Sequence, residues 1–483
     1  MGNFCILLFY TICALPLFVP PVVEDGAYII TNGYQLANIR QGHSYVLGSD
    51  IDLKEYKNWA PIENFHGNID GRGYKIKNLR IQGQKGKIWG LFGTLDGAVI
   101  QNLHIEGAIV YVEEPAGTGP PGSAGILAGR VVNSTVVDST TEGSVFSSGI
   151  AGGFVGTASG SAFKGCRSYS NVTGENYAGG FAGILTEEAV LVHCRSYGDV
   201  YGDAVAGGFV GEAEGSKLKE NANHGVKIVQ CHAFGDVGIS GRPGGVTGAV
   251  GGFAGTLAFA AADAVSASGS VYAGSGTGPT GGIGSTGGIR PTDGTEPSDG
   301  AGLSGAAGGF VGKLTHRSRI TNACAYGDVN NASGSQTGGF IGLITHGSGI
   351  QHAFSAGDVK GGQDTGGFAG AIAVLGAPNT LFGCISFAQW VGSENGARLN
   401  RLVGRMEHNG VNNCYAYLGS MVACDGEGLR HVNPNPYGHD GGDVNNQTIE
   451  ALLSRLGWDQ DYWCFNWEEG GQKKPRLISL YNF

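Results

Sequence analysis

Charge is scarce in this sequence of 483 residues, and basic clusters are absent. Only 14% of the residues are charged and the net charge is −10, a balance that argues against a nucleic-acid partner. The 90 glycines and 15 prolines show no three-residue period, which excludes collagen. At 41% hydrophobic residues, the chain is nevertheless too apolar for a disordered composition.

Long apolar runs are lacking beyond the first residues. Residues 4–23 are uncharged, apolar and interrupted by Pro16 and Pro20, so we interpret residues 1–24 as a signal or anchor segment. A retained anchor helix is the alternative to cleavage. No later stretch has the length and apolar content to span a bilayer. We therefore expect a secreted or cell-surface protein.

What the sequence has in abundance is a Gly-Gly-Phe-x-Gly pentad, repeated mostly every 27 to 30 residues. Its phenylalanines are Phe154, Phe181, Phe209, Phe253, Phe310, Phe340 and Phe368. Weaker copies lie at 90–93, 125–129 and 402–404. About 12 residues after most pentads comes a second element, such as CRSYSNV from Cys166 or CRSYGDV from Cys194. Self-similarity at this period is typical of repeat architectures.

The segments between glycine turns predict short strands, since four to six residues alternate apolar and polar. Repeats of this kind favour a solenoid whose coils pair about 4.8 Å apart. We expect each pentad Phe to point inward and stack on the Phe of the next coil. Its glycines would permit a sharp corner and close backbone approach. The Gly-Asp pair predicts a second corner, at which the carboxylate accepts a hydrogen bond from the local backbone.

The pentads resemble the GLUG motif family. YQLANI and FHGNIDGRGYKIKNLRI upstream, and TIEALLSRLGWDQDYWCFNWEEGGQKKPRL downstream, are similar to segments that flank such repeats. The resemblance implies an all-β fold, a single right-handed parallel β-helix of about ten coils with capping modules at both ends. It also implies an adhesin-like secreted or surface protein, because these repeats occur in such proteins and in non-catalytic regions of immunoglobulin A-specific metalloproteases.

The expected organisation has three parts after the leader. Residues 25–88 form an N-terminal module or cap, residues 89–405 carry the repeats, and residues 406–483 form a C-terminal cap. A Gly/Ser/Thr-rich insertion at 273–307 is expected to leave the rod as a loop.

Cysteines recur at one position of the second element. We predict an inward ladder of small apolar thiols there, with disulfides between adjacent coils as the alternative. Its members are Cys166, Cys194, Cys231, Cys324 and Cys384. Cys414, Cys424 and Cys464 lie in the less regular end region, where a disulfide is easier to form. The sequence has no C-x-x-C pair, which argues against a zinc knuckle.

Several polar residues recur in register. His316 and His346 each follow a pentad Phe by six residues; they are weak metal candidates because no third ligand accompanies them, and stacked exposed histidines are the simpler interpretation. The corner carboxylates are expected to be solvated, with a bridging Ca²⁺ as the alternative. These are Asp199, Asp236, Asp328 and Asp358.

Enzymatic motifs are lacking. No H-E-x-x-H occurs, so the resemblance does not extend to metalloprotease activity. A polysaccharide lyase or hydrolase needs paired carboxylates; the nearest cluster is Glu187, Glu188, Glu212 and Glu214, and no base accompanies it. We predict no catalytic residue and no cofactor.

Tryptophan is concentrated towards the two ends of the chain. We expect these residues to plug the open core, with a sugar-stacking platform as the alternative. They are Trp59, Trp89, Trp458, Trp463 and Trp467. The predicted function is non-catalytic binding of a glycan or a cell-surface protein; a rod that self-associates into a fibre or coat, and a polysaccharide-active enzyme, are the alternatives.

Overall fold

A computed structural model describes most of the chain after the leader. The described residues are 22–84, 86–113, 121–216, 225–239, 248–273, 305–332, 334–393, 398–408, 410–424, 428–429, 432–469 and 471–480. The predicted leader up to residue 21, and most of the insertion at 273–307, lie outside these ranges. No helix in the described part of the chain has the length and apolar content needed to cross a membrane.

The protein is all-β, and most of its strands pair in parallel. Within the described ranges, sheet 1 has 33 strands, sheets 2 and 3 have ten each, and a two-stranded antiparallel hairpin comprises Trp463–Glu469 and Gln472–Leu477. The helices are α1 (Gly33–Ala37) and α2 (Ile449–Arg455), with a 3₁₀ turn at Ile478–Leu480.

Sheet 2 has ten described strands, and all except the first and the last end in a glycine, which is the first glycine of each full pentad. They are Ile88–Trp89, Ser123–Gly125, Ile150–Gly152, Tyr177–Gly179, Val205–Gly207, Ala249–Gly251, Ala306–Gly308, Gln336–Gly338, Asp364–Gly366 and Arg398–Asn400. The strands of sheet 3 follow the pentad Phe. They are Phe92–Asp96, Ala128–Val132, Val155–Ser159, Ala182–Thr186, Val210–Glu214, Ala254–Ala258, Val311–Thr315, Ile341–Ile344, Ala369–Ile372 and Val403–Met406.

Sheet 1 is visited twice or more by each repeat, because the chain turns a corner within it. Its strands are Val22–Glu24, Ala27–Ile30, Ser44–Leu47, Ile51–Asp52, Asn68–Asp70, Lys75–Lys77, Arg80–Gly83, Val99–Gln101, His104–Val112, Thr135–Val137, Thr140–Ser147, Ala162–Lys164, Arg167–Gly174, Val190–Val192, Arg195–Ser196, Val200–Gly202, Val226–Val229, His232–Ala233, Val237–Ile239, Ala260–Ala267, Val271–Tyr272, Arg319–Ala325, Val329–Asn330, Gly349–Ser355, Val359–Gly361, Thr380–Phe382, Ile385–Ser386, Trp390–Ser393, Val411–Asn412, Tyr415–Tyr417, Met421–Cys424, Gly428–Leu429 and Gly442–Val444.

One repeat illustrates the path of the chain. Ile150–Gly152 runs in sheet 2, turns at the pentad into Val155–Ser159 of sheet 3, and continues through Ala162–Lys164 and Arg167–Gly174 of sheet 1. Tyr177–Gly179 then pairs in parallel with Ile150–Gly152. Each repeat is therefore one coil, laid in register on the coil before it.

The pentad phenylalanines form a continuous buried stack through the coils. Consecutive ring centroids, from Phe154 to Phe368, lie 4.7 to 5.0 Å apart with nearly parallel planes. The stack also passes the long insertion, since Phe253 and Phe310 are adjacent at 4.9 Å. Ala306 and Ala307, which the sequence assigned to the inserted loop, instead lie in a strand of sheet 2.

The corner beside each Cys-position residue is left-handed. Positive φ angles occur at His193 (56°), Gln230 (51°) and Asn322 (49°), and Gly165 and Gly383 serve the same corner in other coils. Glycine and asparagine tolerate this conformation best. In most coils the corner splits the pass through sheet 1 into two strands, whereas Ala260–Ala267, Arg319–Ala325 and Gly349–Ser355 continue through it as single strands. The residues after the corner present their outward side chains on a separate lateral face.

We predicted that the C-terminal tryptophans would plug the open end of the core, and this prediction was wrong. The last coil is instead covered by residues 432–441, where His439 O accepts hydrogen bonds from Leu402 N and Val403 N. From α2 onward the chain turns back along the lateral face. Trp463 Nε1 donates to Asn322 Oδ1 at 3.2 Å, and Trp458 Nε1 donates to Gly383 O at 3.1 Å. Apolar side chains on that face, not an open end, receive these two rings.

Trp59 does lie in the N-terminal module, as expected. It is buried beside Tyr56, and its indole donates to Leu91 O at 3.1 Å.

Candidate binding cleft

The lateral face carries an aromatic stack that the sequence analysis did not single out. Tyr169, Tyr197 and Phe234 occupy one outward position in three consecutive coils, with ring centroids 4.6 and 4.8 Å apart and planes within 7° of parallel. Parallel register places these rings above one another, as it does the buried phenylalanines. We call these three residues the aromatic stack.

The C-terminal hairpin meets the lateral face where the aromatic stack ends. Between them is a cleft of about 560 Å³ that we call the terminal cleft. Its lining residues are Phe234, Ser268, Tyr326, Asp328, Ala356, Gly357, Asp358, Gln389, Trp467, Lys474 and Arg476. The volume is within the range of small-molecule sites in proteins.

Two walls of the terminal cleft differ in charge. The hairpin contributes Trp467, Lys474 and Arg476, and the Arg476 guanidinium carbon lies 3.9 Å from the centre of the Trp467 ring. This cation–π contact holds the guanidinium against an aromatic face. The coils contribute the carboxylates of Asp328 and Asp358. The cleft thus combines aromatic surface, hydrogen-bond donors and hydrogen-bond acceptors.

The corner carboxylates form a ladder between coils. Asp199 Oδ1 accepts from Asp236 N at 2.9 Å, and Asp328 Oδ1 accepts from Asp358 N at 2.8 Å. Asn171 and Ser270 occupy the same ladder. The expectation of bonds to local backbone was therefore wrong: the parallel register brings the amide of the following coil to each carboxylate. This ladder fixes Asp328 and Asp358 on the wall of the terminal cleft.

Four of the five predicted ladder cysteines share one buried column. Cys166, Cys194 and Cys231 are consecutive in register, and Cys384 continues the column near its far end. Burial raises the pKa of the Cys166 and Cys194 thiols well above the usual range, so both remain protonated.

Cys324 does not belong to this column. It pairs with Ser266 and Phe354, one position further along the strand, whereas Ala323 takes the column position. The cause is a one-residue deletion, because Cys324 is three residues from its corner glycine and Cys194 is four. Cys324 consequently packs under the C-terminal segment, where burial raises its pKa to about 12.

Cys414 extends the column by one coil beyond Cys384. Its sulfur accepts from Cys384 N at 3.4 Å, and it is a free thiol. Cys464 is an exposed free thiol on the hairpin.

The two weak metal candidates lie together at a left-handed corner. The His316 and His346 rings stack with centroids 4.6 Å apart, and Nδ1 of each lies 3.0 to 3.1 Å from Thr315 Oγ1. Among the described residues, no group of three or more His, Cys, Asp or Glu side chains is placed to hold a metal ion. His316 also stacks on Phe259 at 5.0 Å, and His346 Nδ1 lies 3.0 Å from Thr345 Oγ1.

Glu187, Glu212 and Glu214 occupy different positions on two neighbouring coils. Glu187 occupies a left-handed corner and accepts from Ser159 Oγ at 2.8 Å. Glu212 lies on sheet 3 beside Tyr177, whose pKa is raised by burial and then by the Glu212 charge. Glu214 is on the same strand as Glu212.

A signal for the lateral face was present in the second element. The third residue after Cys166, Cys194 and Cys231 is Tyr169, Tyr197 and Phe234. Alternation from an inward Cys makes this residue outward, so an exposed aromatic column could have been predicted. The basic residues of the hairpin carried no such signal, because the coil residues that line the cleft with them lie 85 or more residues earlier in the sequence.

Comparison with known proteins finds partial similarities. The chain matches no family model. It is 31% identical over 132 residues to a putative Gly-rich membrane protein of Evansella cellulosilytica, a match covering 24% of this chain and 14% of that protein. It is 33% identical over 133 residues to halomucin of Haloquadratum walsbyi, covering 24% of this chain and 1% of that protein. The chain therefore spans only a small part of these curated relatives.

Two solved structures also align at low similarity. One is a putative immunoglobulin A1 protease from Bacteroides ovatus, with a TM-score of 0.33, 15% identity, and coverage of 94% of this chain and 92% of that chain. The other is titled IgA1 Protease, with a TM-score of 0.34, 14% identity, and coverage of 77% and 22%.

Proposed function

We propose that this protein is a right-handed parallel β-helix at a cell surface or in the extracellular space, and that it binds a glycan without transforming it. The partial similarity to a Gly-rich membrane protein and to halomucin supports the location. The observation that carries the binding function is the terminal cleft, where aromatic surface and groups of both charges line one cavity.

The chemistry of the cleft favours a sugar over a purely apolar ligand. Aromatic rings provide surface for the C–H groups of a sugar ring, and Asp358, Gln389 and Lys474 provide acceptors and donors for hydroxyl groups. Lys474 lies in a strand of the hairpin, and Asp358 and Gln389 lie in short turns between strands. Backbone hydrogen bonds to Asp358 Oδ1 fix one of these turns, so little ordering is needed on binding. A protein ligand would have to enter the same cleft with an aromatic or polar side chain.

A glycan panel tests this proposal. The purified protein is exposed to immobilised glycans, and retained protein and released sugar are measured in the same wells. We expect retention without release for the wild type, and weaker retention for Phe234→Ala. Tyr169→Ala is the matched control, since it removes a ring of the same stack outside the cleft. Equal retention of both variants would contradict binding in the cleft, and released sugar would favour an enzyme.

A further inference from the structure

Within the aromatic stack, both faces of the middle ring are occupied. Tyr197 lies between Tyr169 and Phe234 at 4.6 and 4.8 Å, so it presents only its edge and hydroxyl to solvent. A sugar ring stacks on the face of an aromatic ring and not on its edge. Tyr197 is consequently a poor platform for a sugar ring, although it belongs to the exposed face.

The stack is interrupted where the terminal cleft begins. Ser268 takes the next position after Phe234: Ser268 N donates to Ala233 O, just as Phe234 N donates to Ser196 O one coil earlier. Serine supplies no ring, and the cleft opens over it. The space corresponds to one coil step of about 4.8 Å, the separation at which rings stack elsewhere on this face. One planar or chair-shaped ring fits as the next member of the stack.

Charged groups of both signs line the cleft around this position. Lys474 and Arg476 approach from the hairpin, whereas Asp328 and Asp358 stand on the coils. Each aspartate uses Oδ1 for the backbone of a following coil, and a carboxylate has a second oxygen that can accept from a hydroxyl. A ligand ring between these walls is recognised best if it carries an anionic substituent on one side and hydroxyl groups on the other. A guanidinium is well suited to carboxylate or sulfate.

We infer that the terminal cleft holds one acidic sugar residue, with its ring stacked on Phe234 over Ser268 and its carboxylate or sulfate group directed to Arg476 and Lys474. This inference rests on the proposed glycan-binding function and narrows it to acidic polysaccharides. The aspartates on the opposite wall then accept hydrogen bonds from the ring hydroxyls.

The test measures dissociation constants for two pairs of polymers. Polygalacturonate and its methyl ester isolate the carboxylate, and dextran sulfate and dextran isolate the sulfate. At least one acidic polymer is expected to bind about tenfold more tightly than its neutral counterpart. Arg476→Gln should remove most of that preference, so that the acidic and the neutral polymer of a pair bind with similar affinity. Which acidic polymer responds identifies the anionic group.

Ser268→Phe provides an independent test of the position. The new ring continues the aromatic stack and fills the place of the ligand, so binding should be lost while the melting temperature does not fall. Tyr169→Ala is the control and should bind as the wild type does. Undiminished binding by Ser268→Phe would overturn the inference.

The results separate this inference from the broader proposal. Equal affinity for acidic and neutral polymers, unaffected by Arg476→Gln, would overturn the acidic-sugar inference and leave glycan binding intact. Retention by neutral members of the panel only would do the same. No retention by any glycan would overturn both.

Discussion

At the residue scale, the pentad glycines are needed for space and not for unusual dihedral angles. Gly152, Gly153 and Gly156 are not among the residues with positive φ. A Cβ at Gly152 would run into the carbonyl oxygen of Val155, and one at Gly156 would meet the backbone of Gly129 and Ala124. Sheets 2 and 3 approach so closely at this corner that backbone replaces side chain as the packing surface.

His232 illustrates how a polar residue is buried beneath the C-terminal segment. Its side chain is fully buried, with Nδ1 2.9 Å from Ser266 Oγ. Burial, followed by the positive charge of Arg195, lowers the pKa of His232 to about 3. The ring therefore stays neutral in the folded protein at pH values where the same ring in the unfolded chain becomes protonated.

We predict that His232 makes the protein less stable as the pH falls from about 6.5 to about 3. In that window the unfolded state binds a proton and the folded state does not, so unfolding is favoured by at most about 1.4 kcal/mol per pH unit. The free energy of unfolding, measured with urea between pH 7.5 and pH 4, should decline less steeply for His232→Gln. An identical slope in wild type and variant would show that His232 is not buried as a neutral ring.

At the element scale, the coils were predictable and the C-terminal segment was not. Alternation and period identify strands, and the inward Phe follows from its place between glycine corners. The prediction that Cys324 belongs to the cysteine column was wrong, but the sequence holds the correct register, because counting back from Gly327 puts Ala323 in that column. The docking of Trp463 was not predictable, because amphipathic pattern shows that a segment has an apolar face but not which distant surface covers it.

Substitution of the two hairpin tryptophans should have different effects, one on stability and the other on glycan binding. Trp463 is buried against Phe354 and Trp458, whereas Trp467 is 37% exposed in the terminal cleft. Trp463→Ala should cost about 3–5 kcal/mol of hairpin docking and release the C-terminal segment, seen as faster proteolysis after residue 444. Trp467→Ala should change stability by less than about 1 kcal/mol and weaken glycan retention. Equal protease sensitivity of the two variants would contradict this division.

At the scale of the whole molecule, the protein is stabilised by contacts between neighbouring coils. Each pentad Phe packs on the one before and the one after, and each corner carboxylate accepts from the next coil. Leu91, Leu127 and Leu402 continue the phenylalanine column at its ends, which indicates that leucine fits this position. Such a stack approximates a one-dimensional chain of units with nearest-neighbour energies.

Phenylalanine-to-leucine cycles test this one-dimensional character. Phe181 and Phe209 stack directly at 5.0 Å, so Phe181→Leu and Phe209→Leu should be coupled by about 0.5–1.5 kcal/mol. Phe154 and Phe340 are separated by several coils, and their substitutions should add within about 0.5 kcal/mol. Hydrogen exchange of amides in the substituted coils is the suitable measurement, because a long stack need not unfold as one unit. Comparable coupling in both pairs would mean that the core responds as a single cooperative body, and the nearest-neighbour description would then be wrong.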